Sequence, residues 1–80
     1  MREFFITIKN DGNVLENFDK IAFNLDPGED IVKQADETVL SLMDSFWIEV
    51  DNKNNVSWKI FQFKENEFRM VSKSKNWVEI

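Results

Sequence analysis

This eighty-residue chain has no histidine, no cysteine and no tyrosine, and it has only two glycines and one proline. Without Cys there are neither disulfides nor thiolate ligands to staple so small a scaffold, so packing has to hold it. Without His and Cys, the usual proton shuttle at neutral pH and the best nucleophile are both missing. Ser41, Ser45, Ser57, Ser72 and Ser74 have no general base near them in sequence, and they read as solvated hydroxyls. The expectation is a protein that is not an enzyme. Glycine is too sparse for a phosphate-cradling loop, since Gly12 and Gly28 stand sixteen residues apart.

Asp51-Asn52-Lys53-Asn54-Asn55 opens like a calcium loop. Its third position is Lys, however, no Gly occupies the sixth and no Glu the twelfth, so a plain turn is expected, with no metal and no cofactor. Apolar runs long enough to cross a bilayer are also lacking. Met1 to Phe5 run straight into an alternating pattern with no signal-peptide h-region, and the expected location is cytoplasmic.

What is present is aromatic and charged. Eight Phe and three Trp stand in a composition that is 42% hydrophobic and 31% charged, which makes residues 1–80 a single globular domain. A chain this short buries only roughly 60% of its unfolded surface, so large rings must fill the core efficiently. Charge is divided along the chain: residues 1–51 carry 12 acidic and 4 basic side chains, net −8. Residues 52–80 carry 3 acidic and 6 basic, net +3, and the sum is the overall −5.

Glu3 to Lys9 alternates, with Phe4, Ile6 and Ile8 on one side and Phe5, Thr7 and Lys9 on the other, which predicts a strand. Asn10-Asp11-Gly12-Asn13 turns the chain. Val14, Phe18, Ile21, Ala22 and Leu25 fit a helical face, but Ile21, Phe23 and Leu25 also alternate, and a strand from about Asp19 to Leu25 is the preferred assignment. A helix follows, with Asp26 as its cap, Pro27 in its first turn and Glu29 placed for a capping box. Val32, Ala35, Val39, Leu42, Met43 and Phe46 form its apolar stripe, and it ends near Asp44 or Ser45. Strands are then expected at Phe46–Asp51, Val56–Lys64, Phe68–Lys73 and Trp77–Ile80. The fold class is α+β: a small antiparallel sheet of four or five strands in ββαβββ-like order, with one amphipathic helix on one face.

Two constellations stand out as candidate binding surfaces. At 100° per residue, Glu29, Asp30, Asp36, Glu37 and Asp44 fall on one side of the helix, broken only by Lys33. Such carboxylates suit a protein partner with a basic surface, and the same pattern also describes the solvated side of any amphipathic helix. On the sheet, packing Phe4, Ile6, Ile8, Ile48, Val50, Val56, Trp58 and Ile60 beneath the helix leaves Phe5, Trp47, Phe61 and Phe63 on the opposite face. Lys9 and Lys59 lie near these rings, and Arg69 and Lys73 join them if the third strand keeps step. An aromatic face rimmed by charge suits a protein or homodimer interface, a second small core, or stacked single-stranded bases. The net charge of −5 disfavours nucleic acid.

The profile that results is a small, acidic, cysteine-free domain without catalytic side chains. It is what stoichiometric inhibitors require, such as phage anti-defence proteins of the anti-CRISPR kind or toxin-immunity proteins. The leading expectation is therefore a non-catalytic protein-binding module that inhibits a nucleic-acid-handling protein. The alternatives are a single-strand-binding module that uses the sheet face, and a self-associating structural subunit.

Overall fold

The computed structural model describes residues 3–24, 28–45 and 53–78. Strand β1 (Glu3–Asn10) lies inside the sheet and presents Phe4, Ile6 and Ile8 to the core, each at most 4% exposed. Asp11 and Gly12 both take positive φ, 54° and 81°, as a two-residue hairpin turn of type I′ requires. They lead into β2 (Asn13–Val14), which pairs with Lys9 and Asn10.

The stretch expected as one strand from Asp19 is divided differently. A 3-10 turn at Glu16–Phe18 lifts the chain away from β1, and β3 (Ile21–Asn24) then rejoins the same edge against Glu3 to Ile6. The break is held by one main-chain bond and two bonds to the Thr7 hydroxyl. Leu15 donates its N–H to the Ile8 carbonyl at 2.9 Å. The buried Thr7 hydroxyl donates to Asp19 Oδ1 at 3.2 Å and accepts the Lys20 N–H at 3.0 Å. Tertiary satisfaction of these backbone groups outweighs the local alternation, which runs on past the break. Phe23 reaches the core, and Leu25 lies outside the described residues.

Helix α1 (Ile31–Asp44) begins later than its sequence signals suggest. Its cap is Asp30, in extended conformation, whose Oδ1 accepts the N–H groups of Val32 at 2.9 Å and Lys33 at 3.1 Å. The expected cap, Asp26, and the expected first-turn residue, Pro27, lie outside the described residues, and Glu29 precedes the helix instead of completing a capping box. A carboxylate one residue before the first turn reaches two of its orphan amides, which is why Asp30 wins the position. Ala35, Val39 and Met43 are buried, with Ile31 and Leu42 packed beside them. Val32, assigned to the apolar stripe, is 42% exposed, and Phe46 is outside the described residues.

The expected strand at Phe46–Asp51 also falls outside them, and the turn that follows is a 3-10 turn at Lys53–Asn55. Strands β4 (Val56–Lys64) and β5 (Glu67–Lys73) form a hairpin through Glu65 and Asn66, both at positive φ. β4 pairs antiparallel with β1, so Val56, Trp58 and Ile60 lie beside Ile8 and Ile6 beneath the helix. The sheet order is β2-β1-β4-β5, with β3 sharing the β2 edge of β1, and all ladders are antiparallel.

A β-bulge interrupts the β4–β5 ladder, because Ile60 pairs with Ser72 but Phe61 with Met70. The extra residue, Val71, shifts the alternation of β5 by one. The third strand therefore does not keep step: Arg69, opposite Gln62, is on the helix side, while Lys73, opposite Lys59, is on the other. Beyond β5 no ladder includes Trp77 or Val78, where a closing strand was expected, and residues 79 and 80 are outside the described set. Ser74 instead exchanges two bonds with the Trp58 backbone, and Asn76 Nδ2 donates to the Val56 and Asn54 carbonyls.

Candidate interaction surfaces

The five helix-side carboxylates do not share one role. Asp30 turns back on the helix as its cap, and Asp36 Oδ1 accepts the indole N–H of buried Trp58 at 2.7 Å. Glu29, Glu37 and Asp44 are exposed. Between them sits an apolar residue, Leu40, 45% exposed and one helical turn from Asp36, Glu37 and Asp44. Beside this row a groove of about 680 Å³ separates Val32, Leu40 and Met43 from Lys73, Ser74 and Lys75.

The opposite face of the sheet brings together Phe5, Phe61 and Phe63, as alternation predicts, while Trp47 is outside the described residues. Their centre is Phe68, which opens the strand expected at Phe68–Lys73 and whose face alternation alone does not fix. Its ring meets Phe5 at 5.3 Å, Phe61 at 6.3 Å and Phe63 at 4.9 Å between centroids, all edge-to-face. The two-residue turn at Glu65-Asn66 carried the missing signal, because it sets Phe68 directly opposite Phe63. Met70 comes to the same face opposite Phe61. Phe63, Phe68 and Met70 remain 41–51% exposed, so the cluster has a contiguous apolar surface that the helix does not cover.

Lysines lie against these rings. Lys9 Nζ stands 4.1 Å from the Trp77 ring centre, and Lys59 Nζ lies between Trp77 at 5.5 Å and Phe61 at 5.4 Å. Lys20, displayed by its left-handed backbone (φ 55°), approaches Phe61 at 5.6 Å and Phe68 at 5.8 Å. Lys20 also meets Asp19 at 3.5 Å. Glu29, Asp36, Glu37 and Asp44 thus lie on the helix side, whereas the open face gathers Lys9 and Lys20 from the acidic first half of the chain with Lys59 from the basic second half, and Lys73, opposite Lys59, also borders the groove. Arg69, expected among these lysines, is engaged on the helix side by Glu65 at 2.7 Å and Glu67 at 2.9 Å.

Among the described residues, no group of three or more acidic side chains is placed to hold a metal ion, and no helix is long and apolar enough to cross a membrane. No protein-family model, curated protein or solved structure matches the chain.

Proposed function

We propose that this chain is a non-catalytic protein-binding domain of the stoichiometric-inhibitor kind, and that the open face of its sheet is the contact surface. The observation that carries this is the half-exposed trio Phe63, Phe68 and Met70, braced from beneath by Phe5 and Phe61 and rimmed by Lys20, Lys59 and Lys73. Apolar anchors on a rigid support inside a polar rim are the anatomy of a binding surface. Covering the remaining exposed area of each anchor contributes about 1 kcal/mol. The target patch that fits is apolar at its centre with acidic groups around it.

The same face is poorly suited to stacking bases. A base needs a bare ring face, and those of Trp77 and Phe61 have lysine ammonium groups over them. The net charge of −5 also repels phosphate. A second reading rests on Leu40: an exposed apolar residue among Glu37, Asp44 and Asp36 suits a basic, nucleic-acid-handling protein docked on the helix.

Affinity capture from native cell lysate separates these readings, with Phe63→Ser/Met70→Ser compared against Glu37→Lys/Asp44→Lys. Under the open-face reading, a partner recovered by the wild-type protein is lost with the first pair and kept with the second. The reverse pattern transfers the function to the helix. Quenching of Trp fluorescence by single-stranded RNA or DNA at low salt, with no protein recovered, sinks both.

A further inference from the structure

We infer that two copies of this chain pair edge to edge through β5, about a two-fold axis at Phe68, and so join their open faces into one surface. Backbone polarity and charge along β5 support this pairing independently of the partner proposed above. Glu65 and Asn66 form a two-residue hairpin turn at positive φ, so the flanking residues Lys64 and Glu67 close the ladder as a hydrogen-bonded pair. Alternation then directs the backbone groups of Glu67 and Arg69 towards β4 and those of Phe68 and Met70 away from it. Among the described residues, β4 is the sheet neighbour of β5 on one side and no strand pairs with it on the other.

An antiparallel copy placed on that edge faces two constraints. Residues opposite each other must project from the same side of the sheet, and the bulge at Val71 ends regular pairing beyond Met70. Pairing about Met70 would set Phe68 opposite the partner's Ser72, whose side chain the bulge has placed on the other side. Pairing about Phe68 meets both constraints. It sets Phe68 against the partner's Phe68 with two main-chain hydrogen bonds, and at each end it sets Met70 beside the partner's Asn66, whose carbonyl accepts the Met70 N–H. On the helix side, Glu67 then lies opposite the partner's Arg69, and Arg69 opposite the partner's Glu67. The edge is thus self-complementary in backbone polarity, ring placement and charge, with Phe63, Phe68 and Met70 of both copies on one continuous face.

Sedimentation of the full chain over a dilution series tests this with Glu67→Arg and Arg69→Glu. The wild-type protein is expected to dissociate from dimer to monomer on dilution. Each variant alone sets like charges opposite one another twice and weakens the dimer about tenfold or more. An equimolar mixture of the two variants restores opposite charges at both sites and recovers association to within about threefold of wild type. Mixing cannot mend the contact between Arg69 and Glu67 within one chain, so recovery reports the intermolecular pair alone. Met70→Pro, which removes an outward amide while leaving the β4 ladder intact, abolishes the dimer and decides the matter if the charge variants do not fold. A wild-type monomer at every concentration, single variants that dimerise normally, a mixture no better than its components, or a folded Met70→Pro dimer overturns the inference.

Discussion

Trp58 donates its indole N–H to Asp36 Oδ1 across 2.7 Å and so ties β4 to α1 through a side chain that is only 2% exposed. Removing the acceptor strands a donor at the edge of the core, at a cost of about 1–3 kcal/mol. Asp36→Ala should lower stability by that amount in urea unfolding, while Asp36→Asn, which keeps an acceptor, loses less. Equal stability of the Ala variant and the wild type would show that the bond contributes nothing.

Thr7 bridges the interruption between β2 and β3, and its hydroxyl serves both as donor to Asp19 and as acceptor for Lys20. Thr7→Val keeps the shape and removes both bonds, for an expected loss of about 1–3 kcal/mol. Amide exchange should speed up at Lys20 before it does in β4. Thr7→Ser should restore protection, and an unchanged Lys20 exchange rate in the Val variant would argue against the bridge.

The cap at Asp30 gives a prediction specific to its place in the chain. Asp30→Ala frees the amides of Val32 and Lys33 and should cost about 1 kcal/mol, measured by thermal unfolding, and Asp30→Ser should recover most of it. Indifference to Asp30→Ala would return the cap to an earlier residue.

Phe68 supports three other rings although it is 41% exposed itself. Phe68→Ala should cost about 1–2 kcal/mol, reflecting partial burial and the lost edge-to-face contacts. A double-mutant cycle with Phe63 should show coupling of about 0.5–1.5 kcal/mol. Additive losses would mean that the rings are neighbours without interaction.

The strands β1 and β4 were legible almost to the residue, because a covered face imposes strict alternation and both strands lie beneath the helix. The helix was legible in its body but not at its start. The sequence signals favoured Asp26 as the cap with Glu29 completing a capping box, and only the local path of the backbone shows that the Asp30 carboxylate meets the amides. The stretch around Phe18 was ambiguous because its continuity depends on Thr7, twelve residues before Asp19. On the open face, Phe5, Phe61 and Phe63 followed from alternation. Phe68 and Met70 required the hairpin register, and Lys20 required a left-handed backbone that its neighbours in sequence do not announce.

Sequence by itself determined the class of fold, the core positions of β1 and β4, those at Ala35, Val39 and Met43, and the presence of surplus rings, because these follow from periodicities of two and 3.6 that each segment carries within itself. It also placed the acidic and basic charge in different halves of the chain. Only the tertiary structure decided how that charge is used. Asp36 is taken by Trp58, twenty-two residues away, and Asp30 by its own helix, while one extra residue at Val71 sends Arg69 to one side of the sheet and Lys73 to the other. The Asp30 cap follows the local path of the backbone, and the other outcomes depend on a contact between distant segments and on a register set by a bulge, neither of which leaves a periodic trace in the chain.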